Sequence, residues 1–185
     1  MFLKILITCT IFINFFLDVR ANEKESIIDR LSEIKNFSFN FEQTTKEKVE
    51  TGHCMLEFDK KLKCIYNDKI QKEIIINNKT LVILQKKYNK VYYYPVSQSM
   101  FVNILSKDKL ISLIKKSDLK LSENIELVYS DANQRIIKVF FEKKNYELIG
   151  WLVEDEFQNK IYFSLKIENI NSVIDKNYFK IPANN

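Results

Sequence analysis

Phe37-Ser38-Phe39-Asn40-Phe41-Glu42 alternates aromatic and polar side chains, and a strand puts the three rings on one side and the polar set on the other. Immediately upstream the period is different. Ile27, Ile28, Leu31, Ile34 and Phe37 recur at helical spacing with charged residues on the opposite face, so an amphipathic helix leads into the strand. Ser26, with Asp29 three positions on, is the candidate N-terminal cap.

Downstream, short strand-like runs dominate. Phe37 to Lys46 is followed by runs at His53 to Phe58, Lys63 to Asn67, Glu73 to Ile76, Thr80 to Gln85, Val91 to Tyr94, Glu126 to Tyr129, Arg135 to Phe141, Glu147 to Val153 and Lys160 to Glu168. Turns fall at Asn77-Asn78, Asp131-Ala132-Asn133, Lys144-Asn145 and Gln158-Asn159. Such short connections predict antiparallel hairpins and meanders. One helical island breaks the series between Pro95 and Asp118. There Met100, Phe101, Ile104 and Leu105, then Leu110, Ile111 and Ile114, predict two short amphipathic helices separated near Ser106. The pattern as a whole predicts a mainly β, α+β chain, a curved antiparallel sheet with helices on its concave side.

Ahead of the first helix, Met1 to Lys4 carry one positive charge, Ile5 to Leu17 are almost unbroken apolar residues, and Val19-Arg20-Ala21 offers small residues at −3 and −1 of a cleavage site. Residues 1–21 read as a secretory signal peptide, leaving one domain over 22–185 that works outside the cytoplasm. The apolar run is shorter than the roughly 20 residues a membrane span needs. Cys9 follows Thr8, where a lipid-modification site wants Gly, Ala or Ser, so it is expected to leave with the signal. Removing Lys4, Arg20 and Asp18 lowers the formal charge of +5 by one, and the remaining excess reads as dispersed, solvated surface charge with no nucleic acid expected as a partner, the alternative being a nucleic-acid or anionic-membrane face. Glycine is nearly absent, at two residues, so turns must come from Asn, Asp and Lys.

Catalytic and metal constellations are thin. His53 is the only histidine, and no serine stands in a recognisable nucleophile setting. His53 and Cys54 are neighbours on a strand, so they face opposite sides and cannot form a thiolate–imidazole pair. Glu154, Asp155 and Glu156 fall in a hairpin turn, where carboxylates are hydrated. Neither glycine lies in a phosphate-binding loop. No enzyme activity, cofactor or metal is expected. Cys54 and Cys64 flank a turn between two strand-like runs; a cross-strand disulfide is open to them, as are two unpaired buried thiols. What the chain does carry is apolar surface. Phe37, Phe39, Phe41, Leu56, Phe58, Ile74, Ile76, Leu81 and Ile83 fall on one face of neighbouring strands, either as ordinary core or as the wall of a lipid-accepting pocket.

Several motifs together resemble the LolA-type periplasmic lipoprotein carriers. These are Phe37-x-x-x-Phe41-x-Gln43, then Gly52-x-x-x-Leu56, then Leu62-Lys63-Cys64-Ile65-Tyr66. Asn77-Asn78-Lys79-Thr80-Leu81 stands where the family has an Asp-Gly turn, and Pro95 precedes the helical island. Gly150-Trp151-Leu152-Val153-x-Asp155 is similar to the family's Trp-x-Val-x-Asp hairpin, and Leu165, Val173, Phe179 and Pro182 follow its final spacing. The resemblance implies an incomplete antiparallel β-barrel, or half-barrel, with an N-terminal helix and a helical lid over an apolar cavity. Where the family carries a basic residue and Pro thought to latch the lid, this chain reads Phe58-Asp59, leaving Lys60 and Lys61 as candidate latches.

The implied function is a soluble, monomeric periplasmic chaperone that shelters lipoprotein acyl chains. It would take them from an inner-membrane ABC transporter to an outer-membrane lipoprotein receptor or membrane. The expected lining is the nine strand residues above with Phe101, Ile104, Leu110 and Ile114 from the lid. The competing reading is a periplasmic sensor or regulatory half-barrel that binds a lipidated or membrane-protein partner.

Overall fold

The computed structural model describes residues 22–46, 48–58, 60–98, 106–130, 136–154 and 159–182. The expected signal peptide, the first half of the helical island with Phe101 and Ile104, and the acids Asp155 and Glu156 lie outside them. Among the described residues helix α1 covers 22–33, with the proposed Ser26 cap inside it. Ser26 is therefore an interior residue of the helix rather than its cap.

Strands β1 (Asn36–Thr45), β2 (Lys48–Glu57), β3 (Lys61–Tyr66), β4 (Lys72–Asn77), β5 (Thr80–Gln85) and β6 (Lys90–Pro95) form one meander. A second comprises β7 (Asp118–Leu121), β8 (Ile125–Ser130), β9 (Ile136–Phe141), β10 (Leu148–Glu154) and β11 (Lys160–Ile170). The meanders join where β1 pairs with β11, giving the order β6-β5-β4-β3-β2-β1-β11-β10-β9-β8-β7 in one antiparallel sheet. The edges β6 and β7 do not pair with each other, so the barrel is incomplete. The chain from one edge to the other carries helix α2 (Lys107–Lys116).

Two strands depart from the sequence reading. Strand β7 was not predicted, because Asp118-Leu119-Lys120-Leu121 is short and follows a helix; its pairing with β8, Leu119 opposite Leu127, defines it. Strand β2 starts at Lys48 rather than His53, because the β1–β2 register continues to Thr45 opposite Lys48 through exposed residues with no apolar period.

Curvature has local causes. Register shifts interrupt β1–β11 at Ser38/Phe39 and β9–β10 between Leu148 and Gly150, and such bulges bend and twist a sheet. Both glycines sit at close backbone approaches. A Cβ on Gly52 would lie 2.2 Å from the Ile65 carbonyl oxygen and 2.7 Å from the Phe41 ring, and one on Gly150 would lie 2.6 Å from the Phe163 oxygen. The left-handed turn positions go to other residues, namely Lys60, Gln71, Asn78, Asn89, Tyr146 and Asn171.

The core fills the concave side. Ile27, Leu31 and Ile34 of the α1 segment, with Leu110, Leu113 and Ile114 of α2, pack in one cluster with the inward residues of the strands. The C-terminal tail crosses the other side of one wing. Asn77 Nδ2 donates to the Phe179 oxygen at 3.2 Å, and the Tyr93 hydroxyl donates to the Pro182 oxygen at 3.1 Å. Phe179, Ile75 and Val82 are buried there, apart from the main core.

Candidate functional site

The inward faces of four strands carry a continuous aromatic floor. Trp151 stacks on Phe163 with ring centres 4.4 Å apart, Phe163 stacks on Phe41 at 4.8 Å, and Tyr66 meets Phe41 edge-on at 4.9 Å. Register brings the rings together: Trp151 pairs with Phe163 across β10–β11, and Phe41 and Tyr66 both pair with Gly52 on β2. The missing side chain at Gly52 leaves room for the Phe41 ring above the backbone.

Above one end of this floor lies a cavity of about 260 Å³. Tyr66, Ile74, Ile83, Trp151, Val153 and Ile161 form its apolar wall, with Gln43 and Lys72 at one side. The polar side is internally bonded. The Tyr66 hydroxyl donates to Gln43 Oε1 at 3.0 Å, and Lys72 Nζ lies 3.7 Å from the centre of the Tyr66 ring and 2.6 Å from Glu50 Oε1. Lys48 reaches the same Glu50 oxygen at 2.7 Å. Burial raises the Tyr66 phenol, and the nearby Glu50 and Asp68 charges raise it further, so it stays a neutral donor. Burial also pushes the Glu50 carboxyl up, but the bonds from Lys48 and Lys72 outweigh it and hold the group below its ordinary value. A second hollow of about 410 Å³ carries mainly polar residues, including Asn40, Glu42, Thr51 and Lys166, and offers little to an acyl chain.

Of the expected lining, Ile74 and Ile83 face the cavity. Phe37, Phe39, Phe41, Leu56, Ile76, Leu81, Leu110 and Ile114 are packed in the core, and Phe58 is half-buried against it. The helices fill most of the concave side and leave the opening at the Tyr66–Trp151 end. Tyr66, Trp151, Val153, Ile161 and Gln43 were missed as lining. Their signal was in the sequence, since Tyr66 and Trp151 end or open apolar runs, but only the register sets them around one space.

The lid is tied differently from the expectation. Lys60 is exposed in the β2–β3 turn, and Lys61 bonds Glu57 at 2.7 Å with its ammonium 5.9 Å from the Phe179 ring, so among the described residues neither bonds α1 or α2. Two other lysines bind the helices to each other. Lys24, in α1, donates to the oxygens of Ser117 (2.6 Å) and Lys115 (3.2 Å) at the end of α2. Lys107, at the start of α2, donates to the Ser32 oxygen at the end of α1 (3.2 Å). Each ammonium meets the carbonyl end of the opposite helix, where a positive charge is favoured. Lys107 also lies 5.3 Å from the Phe58 ring, and Arg30 pairs with Glu147 at 3.1 Å, fixing α1 to the start of β10.

Cys54 and Cys64 stand opposite each other in the β2–β3 register, with Cα atoms 4.1 Å apart, and are joined by a disulfide. His53 lies on the other face, 3.4 Å from Glu168. Glu154 lies 3.6 Å from Lys160. Among the described residues, no group of three or more His, Cys, Asp or Glu is placed to hold a metal.

The model of the family described as outer membrane lipoprotein carrier protein LolA matches residues 32–182. The chain belongs to the LolA family. Its fold is similar to that of solved structures at low identity. LprF from Mycobacterium bovis is 9% identical with a TM-score of 0.50, covering 90% of this chain and 98% of its own. Lipoprotein LppX from Mycobacterium tuberculosis is 11% identical at 0.51, with coverages of 85% and 98%. An uncharacterized conserved protein from Thermus thermophilus is 11% identical at 0.52, with coverages of 86% and 93%. No match was found among the curated proteins. The LolA match covers every strand of the sheet, from β1 to β11, and its family description places the work of such proteins outside the cytoplasm.

Proposed function

We propose that this LolA-family chain is a non-enzymatic periplasmic carrier of acylated lipoproteins. It takes its cargo from an inner-membrane ABC transporter and delivers it to an outer-membrane receptor or membrane as a monomer, after removal of residues 1–21. The observation that carries the reading is the apolar cavity on the aromatic floor, left open beside helices that Lys24 and Lys107 tie to each other. A volume of about 260 Å³ lies below the roughly 300–1,000 Å³ of ordinary ligand pockets, so cargo enters only as α1 and α2 move.

Magnitudes favour that exchange. Lifting the helices uncovers Ile27, Leu31, Ile34, Leu110, Leu113 and Ile114, at about 1.5–3 kcal/mol each, or roughly 9–18 kcal/mol together. Acyl burial contributes about 0.8 kcal/mol per CH₂, so a triacyl anchor brings on the order of tens of kcal/mol. The anchor can therefore hold the lid open, and the empty protein closes over its own side chains. Purified protein beginning at Asn22 is expected to release lipoproteins from spheroplasts into a soluble complex. Ile161→Glu, at a partly exposed lining position, is expected to remove that release while leaving the fold intact. Equal release with and without the protein contradicts the reading.

A further inference from the structure

The positive charge of this chain is not evenly dispersed. From Ile74 to Lys107 the sequence contains five lysines and no Asp or Glu. The structure places much of this stretch on β5 and the edge strand β6, and leaves large side chains of the edge in solvent: Tyr88 is 53% exposed, Tyr92 39% and Tyr94 44%. Lys87 and Lys90 are exposed among them, with the Lys87 ammonium 5.8 Å from the Tyr88 ring. Tyrosine and lysine are the pair of side chains that settle at a lipid headgroup layer, the ring at the apolar boundary and the ammonium among phosphates.

The register ties this edge to the cavity. Tyr92 pairs with Ile83 and Tyr94 with Leu81, and directly opposed residues share a face of the sheet. Ile83 lines the cavity, so the apolar face runs from its wall to exposed rings at the rim. Opposite β6, the other edge presents Asp118 and Lys120 on a strand of four residues and has no comparable cluster.

We infer that the β6 edge is a docking surface for an anionic phospholipid bilayer, on which Tyr88, Tyr92 and Tyr94 seat at headgroup depth and Lys87 and Lys90 pair with lipid phosphates. The charge complementarity of a carboxylate-free basic stretch selects the occupant. The unpaired backbone groups of the edge meet hydrated headgroups rather than a second strand. The inference goes beyond cargo carriage and is tested without any lipoprotein, so either can fail alone.

The test is co-sedimentation of the chain beginning at Asn22, which contains every described element, with vesicles of equimolar phosphatidylglycerol and phosphatidylcholine or of phosphatidylcholine alone. Binding is expected to the anionic vesicles and to weaken in high salt. Lys87→Glu with Lys90→Glu should lower the apparent affinity on the order of tenfold or more, since each lysine near such a surface counts. Tyr92→Ser with Tyr94→Ser should weaken binding at unchanged net charge, and the control pair Lys120→Glu with Lys144→Glu should bind within about threefold of the parent. Circular dichroism on each variant establishes that it is folded. The inference is overturned if no vesicles are bound, if both compositions are bound equally, or if the folded β6 variants bind like the parent. A control that falls as far as the β6 pair also overturns it, since net charge would then suffice.

Discussion

Glycine scarcity leaves its mark residue by residue. Gln71, Lys60 and Tyr146 hold left-handed backbone at φ 53°, 75° and 57°, a region that costs a side-chain-bearing residue about 1 kcal/mol or more. Gln71→Gly is expected to raise the unfolding free energy by about 0.5–1 kcal/mol in urea melts, and an unchanged or lower midpoint contradicts this. Gly52 is the reverse case. Gly52→Ala should destabilise by about 1–3 kcal/mol, because the new methyl meets backbone as well as the Phe41 ring. Glu50 gives a pH dependence with a definite sign. Its folded value lies below the ordinary 4.5, so the stabilisation it brings is present above that value and is lost as pH falls through the lowered one. Thermal melts from pH 6 down to 3 should therefore show a steeper loss for the parent than for Glu50→Gln; parallel curves would reject the assignment.

Elements were legible in the sequence where a period repeated. The alternation of Phe37, Phe39 and Phe41 gives β1, and the 3.6 spacing of Ile27, Leu31 and Ile34 gives α1, because each reports one buried face. Strand β7 and the first half of β2 were not legible, since Lys48-Val49-Glu50-Thr51 carries no apolar alternation and Asp118-Leu119-Lys120-Leu121 is too short to show a period. The site was less legible than the fold. Trp151, Phe163, Phe41 and Tyr66 form one floor through pairing between distant strands, and local spacing contains no register. The lid ties were misplaced for the same reason, since Lys24 and the Lys115 oxygen are 91 residues apart. If those ties hold the helices in place, replacing Lys24 or Lys107 by Met removes about 1 kcal/mol each and should speed uptake of a fluorescent fatty-acid probe by about fivefold per site. Unchanged uptake in stopped-flow mixing would mean that the helices are held by their apolar packing alone.

At the scale of the molecule, topology and function meet in the connection between the two sheet edges. Closing the barrel would remove both edges but seal the interior; leaving β6 and β7 unpaired keeps the concave face open at its margin, with α1 and α2 packed into it. The same side chains that stabilise the empty protein thus mark the space that acyl chains would occupy. The LolA match and the 11-stranded open sheet fix the architecture, and the central claim is that lipid enters it. The most direct measurement places a photo-crosslinking amino acid at Ile83, on the cavity wall, and illuminates the protein with a lipoprotein and with its form lacking the acylated cysteine. The account predicts a crosslink to the acylated form alone, located on its acyl chains. Equal crosslinking of the unacylated form, or none to either while the soluble complex persists, would contradict it.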